Sequence, residues 1–113
     1  MAFGIVNIPG SGAGSGAVVY TATIGTEWTE NMATGTKEQF VAIAGVTAAN
    51  TAKVDVVNIH DRTSDGYAAF VEEQNQFLEF ITNGDAETVE GGIKFYVYGD
   101  IPTVEIPIVV EVT

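Results

Sequence analysis

The sequence predicts an α+β domain, a mostly antiparallel β-sheet or small β-sandwich that carries one amphipathic helix at about residues 65–82. Three observations lead there. Thr, Val and 13 glycines favour strands and turns over helices. Several short segments alternate apolar and polar residues with the period of a half-buried strand. One segment alone switches to the helical period. The 113 residues fit one domain, able to bury roughly two-thirds of the surface its unfolded chain exposes. With 46% apolar and 17% charged residues, the chain is too hydrophobic to remain disordered.

Phe3-Gly4-Ile5-Val6-Asn7-Ile8 is a short apolar segment closed by Pro9, and Gly10 to Gly16 reads as a Gly/Ser-rich linker. Residues 1–16 are therefore an N-terminal arm, and residues 17–113 a single β-rich domain. The arm's apolar side chains, Phe3, Ile5, Val6 and Ile8, make it either a docking peptide or a first strand of the same domain.

Val18, Tyr20, Ala22 and Ile24 alternate as one face of a strand. A polar stretch from Gly25 to Glu38 holds the only tryptophan, Trp28. Gln39 to Val46 and Lys53 to Ile59 are apolar enough for two further strands, with Thr47 to Asn50 as the turn between them. Tyr67, Phe70, Val71, Gln74, Phe77, Leu78 and Ile81 then form the apolar stripe of a helix, and Glu72, Glu73 and Glu79 point away from it. Ser64 or Asp65 is positioned to cap its start, and Asn83-Gly84 to supply a left-handed stop. Glu87 to Glu90 and Ile93 to Tyr98 flank a Gly91-Gly92 turn. Val104 to Val112 alternates as the last strand. Pro107 cannot donate a ladder hydrogen bond, which puts this strand at a sheet edge or leaves it one locally open side.

The chemistry-bearing residues are few. No cysteine is present, which removes disulfides, thiolate metal sites and a cysteine nucleophile together. Durability outside a cell would then come from packing or oligomerisation. The formal charge of −11 repels phosphate backbones and anionic membranes, so neither nucleic acid nor a membrane is an expected partner. Residues 1–6 lack the basic and apolar regions of a secretory signal, and no apolar run reaches the ~18 residues needed to span a bilayer. His60, the only histidine, follows a strand and reads as a surface or turn-capping residue. Of three serines, two lie in the Gly/Ser-rich linker, and none sits in a nucleophile elbow. Gly12-x-Gly14-x-x-Ala17 meets a relaxed dinucleotide fingerprint, but a strand follows where a helix is required. Carboxylates gather at Asp61/Asp65 and at Asp85/Glu87/Glu90 without the spacing of a calcium hand, leaving a weak calcium site at a subunit junction as the sharpest reading of the charge. The expectation is a non-enzymatic chain with no catalytic residue, cofactor or dedicated metal site. Trp28, Tyr96 and Tyr98 are the candidate surface or interface aromatics, a sugar-binding face being one use and core packing the other.

Two stretches carry a resemblance. Phe40 to Ala48 resembles a recurring hydrophobic-strand-Gly-Val-Thr-Ala unit, with Tyr67-Ala68-Ala69-Phe70 opening the helix after it. Ile93 to Ile108 resembles a strand followed by a Lys-Pro-Thr-Val-Asp-Ile-Pro-Val-type closing strand. Together, over about residues 28–112, they look like a small domain of structural proteins of phages and prophages of Gram-positive gut bacteria. In those proteins it sits in head-fibre, capsid-decoration or tail-appendage polypeptides. The chain departs from that pattern at Ile101, where a Lys is usual, and in its Gly/Ser-rich arm. The resemblance implies a virion structural protein, made in the host cytoplasm and located in the particle. A capsid decoration or head-fibre protein attached through its arm is the first expectation. Its implied partners are other virion proteins and further copies of itself, as a homotrimer. The second expectation is a tail-fibre or tail-tip module that binds a host surface glycan or protein.

Overall fold

The computed structural model describes residues 17–113, so the arm and its Phe3, Ile5, Val6 and Ile8 lie outside the described residues. Seven strands and one helix follow in the order β1 (Val18–Ile24), β2 (Thr29–Asn31), β3 (Thr36–Ala42), β4 (Ala52–Val56), α1 (Ser64–Thr82), β5 (Gly84–Val89), β6 (Gly92–Val97) and β7 (Ile106–Val112). The strands make two antiparallel sheets, ordered β1-β7-β4 and β2-β3-β6-β5. The fold is α+β and mostly β, as the alternating segments predict.

Alternation explains the core. Ile106, Ile108, Val110 and Val112 of β7, Ile93, Phe95 and Val97 of β6, Val54 of β4 and Ile24 of β1 are all buried. They meet Phe77 and Phe80 from α1, so both sheets and the helix share one apolar cluster. Phe80 is its hub, with ring centroids 5.6 Å from Trp28, 6.2 Å from Phe77 and 5.7 Å from Phe95. Each fully buried Phe or Ile stabilises the fold by about 1.5–3 kcal/mol.

Several local expectations are corrected by tertiary contacts. The strand predicted over 39–46 begins earlier, at Thr36, and leaves the sheet after Ala42. Ile43 N–H then donates to Gly91 O, and Gly91 N–H to Val46 O, which docks residues 43–46 on the β5–β6 turn. Ile43 and Val46 are buried there without being strand residues. The strand predicted over 53–59 ends at Val56, and the one predicted over 87–90 spans Gly84–Val89.

β7 is not an edge strand. It lies between β1 and β4, and the other expectation, a locally open side, describes Pro107. Pro107 O accepts from Val57 N–H at 3.0 Å, one residue beyond the last β4 partner, where the missing proline N–H costs the ladder nothing further.

The helix differs most from expectation. Its cap is Thr63, whose Oγ1 accepts from Gly66 N–H at 3.1 Å, and not Ser64 or Asp65. Its end has no left-handed residue: Asn83 has φ −114°, and Gly84 opens β5. A Cβ at Gly84 would stand 2.0 Å from Tyr96 O, so close approach of β5 to β6 demands the glycine. The buried face is Gly66, Glu73, Phe77 and Phe80. Tyr67, Val71 and Leu78 of the predicted stripe remain exposed.

Candidate functional site

Glu73, expected to point to solvent, is 7% exposed and the only buried charged residue among those described. Its Oε2 lies 2.8 Å from Nε2 of His60. The segment after β4 brings the histidine there, with His60 N–H donating to Asn58 Oδ1 at 2.9 Å. Asn58 thus caps the turn, while the imidazole ties the loop to the middle of α1. A histidine held by a buried carboxylate forms two members of a hydrolytic triad. Here the ring makes no hydrogen bond to a hydroxyl among the described residues, and the pair reads as a strut between loop and helix. Sequence reasoning missed it because the pairing partner is 13 residues away on a different element.

The outer face of the four-stranded sheet is the best-built surface. Strand register sets Tyr96 opposite Glu38 on one side and Asp85 on the other, and Lys94 opposite Phe40 and Glu87. Tyr96 O–H donates to Glu87 Oε1 at 2.6 Å. That bond, with burial and the nearby carboxylates, pushes the phenol up to about 12. Lys94 Nζ sits 3.3 Å from Glu38 Oε1 and 5.8 Å from the Tyr96 ring centroid. Asn31 Nδ2 donates to Glu38 Oε2 at 2.6 Å. The Asn31 amide first, and the Lys94 ammonium with it, hold the Glu38 carboxyl below the usual range against a smaller opposing effect of burial.

Two aromatics complete this face. Tyr98 is 68% exposed and its ring lies against Gly35, where a Cβ would come within 3.4 Å of it. Phe40 is 52% exposed and covers Gly92 of the neighbouring strand, so close that a Cβ there would meet its ring at 2.9 Å. Gly92 lies on the strand next to Phe40, so that ring covers a position with no side chain of its own, whereas Gly35 belongs to the β2–β3 turn.

Of the aromatics singled out from sequence, Tyr96 and Tyr98 share this surface and Trp28 does not. Trp28 is half-buried against Phe80, and its Nε1–H donates to Gly25 O at 3.1 Å. Phe40 was absent from the sequence-derived set, because its place in an apolar run made it look like core.

Between the edge strands β4 and β5 lies a cleft of about 640 Å³, lined by Ala52, Val54, Phe80, Ile81, Ala86 and Phe95 among others. The small side chains at 52 and 86 leave it open. Among the described residues, no three His, Cys, Asp or Glu side chains gather as a metal site, and no helix is long and apolar enough to cross a membrane.

Comparison with known proteins finds no matching family model, no matching curated protein and no matching solved structure.

Proposed function

We propose that this chain is a structural component of a bacteriophage particle, a capsid decoration or head-fibre protein attached through residues 1–16. The observation that carries the proposal is the outer face of the four-stranded sheet. There Tyr96, Lys94, Glu38 and Glu87 are locked to one another, while the rings of Tyr98 and Phe40 stand open. Exposed aromatics on a rigid backbone lose little conformational freedom on contact, which suits a standing interface between proteins. The resemblance over residues 28–112 supplies the particle. The arm supplies an uncharged, apolar tether, since residues 1–16 contain no charged side chain.

Deleting residues 1–16 tests the attachment. The truncated protein should fold, by circular dichroism and cooperative melting, yet be missing from purified particles. Full occupancy of particles by the truncated chain would overturn the anchor role.

A second reading is favoured by Tyr98 itself. An open tyrosine ring, with Tyr96, Lys94 and Glu87 further along the same face, has the stacking surface and hydrogen-bonding groups of a glycan contact. Retention of the purified protein on host cell walls, lost in Tyr98→Ala, would support a tail-fibre or tail-tip module in its place. No retention at micromolar concentration would dismiss it.

A further inference from the structure

The two sheets are joined along one side and open along the other. Gly25, just past β1, donates its N–H to Oε1 of Gln39 on β3 at 2.7 Å and accepts from its Nε2 at 3.1 Å. On the opposite side no hydrogen bond joins β4 to β5 among the described residues. There Thr88 Oγ1 reaches across to Asn50 O, in the loop before β4, at 2.6 Å. The edge of β4 keeps free backbone. Thr51 and Thr113 exchange both their backbone bonds, and Val57 N–H reaches Pro107 O, so alternate residues between them bond β7. The backbone groups of Ala52 and Val54 therefore point out from the sheet, where they make no hydrogen bond among the described residues. Opposed residues share a face, so Ala52 lies with Val112, and Gly84 and Ala86 with Val97 and Phe95, on the core side. Those three positions carry a methyl group or none, and their small size leaves the cleft of about 640 Å³ between the two edges.

We propose that the chain's own residues 3–8 occupy this cleft in the free protein, as an eighth strand laid antiparallel to β4. The place where the arm joins the domain supports it. Val18 and Ala52 both stand opposite Val112, on either side of β7, so two strand spacings, about 10 Å, separate them. Residues 9–17 span about 30 Å when extended, enough to pass round the end of β7. Direction follows, with Ile8 arriving at Ala52 and Phe3 lying toward Val56. Pro9, with no N–H to give, ends the pairing where the linker begins. Either alternate set, Phe3 with Ile5 or Val6 with Ile8, offers apolar side chains to the core side. Asp85 and Glu87 line the cleft, and residues 1–16 bring no charged side chain to oppose them. The Asp55 carboxyl, toward the far end of β4, lies above its usual range. Burial raises it, and the N–H bond from Val56 and the positive charge of the amino terminus offset that only in part. Antiparallel seating sets the amino terminus at that end. A linker of this length holds the arm at about millimolar effective concentration, which favours its own cleft over a neighbour's. Seating hides an apolar peptide and a bare sheet edge together, and an edge so covered is closed to other chains. It belongs to the free chain and is independent of whether the arm later attaches that chain to a particle.

Nuclear magnetic resonance of the full chain, at low and high protein concentration, tests this. The amides of residues 4–8 should exchange at least roughly ten-fold more slowly than those of residues 10–16. Methyl groups of Ile5, Val6 or Ile8 should show contacts to Val54 and Ala86 that survive dilution. Ile5→Asp with Val6→Asp should abolish both signals while the resonances of His60 and Tyr98, away from the cleft, stay in place. Arm amides that exchange like the linker would overturn the seating and leave attachment through the arm standing. Contacts that appear only at high concentration, or between labelled and unlabelled copies, would overturn it in favour of arms exchanged between chains. A co-purified apolar small molecule in the cleft, seen by native mass spectrometry, would overturn it as well. Particles filled by the arm-deleted chain, with the arm contacts present in the free full chain, would instead overturn the anchor reading and leave the seating intact.

Discussion

Nε2 of His60 and Oε2 of Glu73 stand 2.8 Å apart across the junction between the β4–α1 loop and the centre of α1. The carboxylate is buried, and its other oxygen, Oε1, has no hydrogen-bond partner among the described residues. The imidazole is therefore what makes burial of this acid tolerable. His60→Ala should destabilise the protein by about 1–3 kcal/mol, the cost of leaving a buried polar group unpaired. His60→Leu combined with Glu73→Leu should recover most of the loss, because both polar partners leave together. Urea unfolding of the two variants measures this. Equal destabilisation by the single and double changes would contradict the strut.

Trp28 belongs to the core's rim. Trp28→Ala should cost roughly 2 kcal/mol, about half the value for a fully buried tryptophan, by uncovering Phe80 and the cluster behind it. Oligomerisation and any surface binding should be unchanged at temperatures where the variant stays folded. Thermal melting followed by circular dichroism gives the first quantity, and sedimentation the second.

Gly84 and Gly25 separate sterics from composition. At Gly84 a methyl group would collide with Tyr96 O, whereas at Gly25 it would rest 3.7 Å from the Gln39 side chain. Gly84→Ala should destabilise by about 2–3 kcal/mol by prying β5 from β6, and Gly25→Ala by less than about 0.5 kcal/mol. Chemical denaturation of both, side by side, checks the contrast.

Tyr96 should ionise near 12 when absorbance of tyrosinate is followed with pH. Glu87→Gln should bring that midpoint down toward the ordinary 10. The folded phenol binds its proton more tightly than the unfolded one. The Tyr96–Glu87 bond therefore contributes stability that is complete below pH 10 and lost as the pH rises through 10 toward 12. Phenylalanine at position 96 should flatten the fall of stability in that window.

Where residues alternate strictly, the sequence was a sufficient guide. Ile106, Ile108, Val110 and Val112 announce β7, and Lys94, Tyr96 and Tyr98 emerge together on the outer face because β6 alternates too. What remained hidden depended on partners distant in sequence. The apolar stripe of α1 pointed to Tyr67, Val71 and Leu78 as buried, yet the helix is turned so that Glu73 faces inward. Only His60, arriving from the preceding loop, makes that orientation affordable. The central position of β7 was hidden as well, since Pro107 signals an edge wherever its own neighbour continues, and here β4 ends one residue earlier. Phe40 read as core because the glycine it covers lies on another strand. Residues 1–16 offered two readings, tether or first strand, and their composition alone fits both.

Imaging of intact particles is the most direct test of the structural role. Density for this α+β fold is expected outside the shell at one defined, repeated position, with a narrow connection running from Ala17 into the particle. Purified particles that lack the chain, or carry it at no defined position, would contradict it.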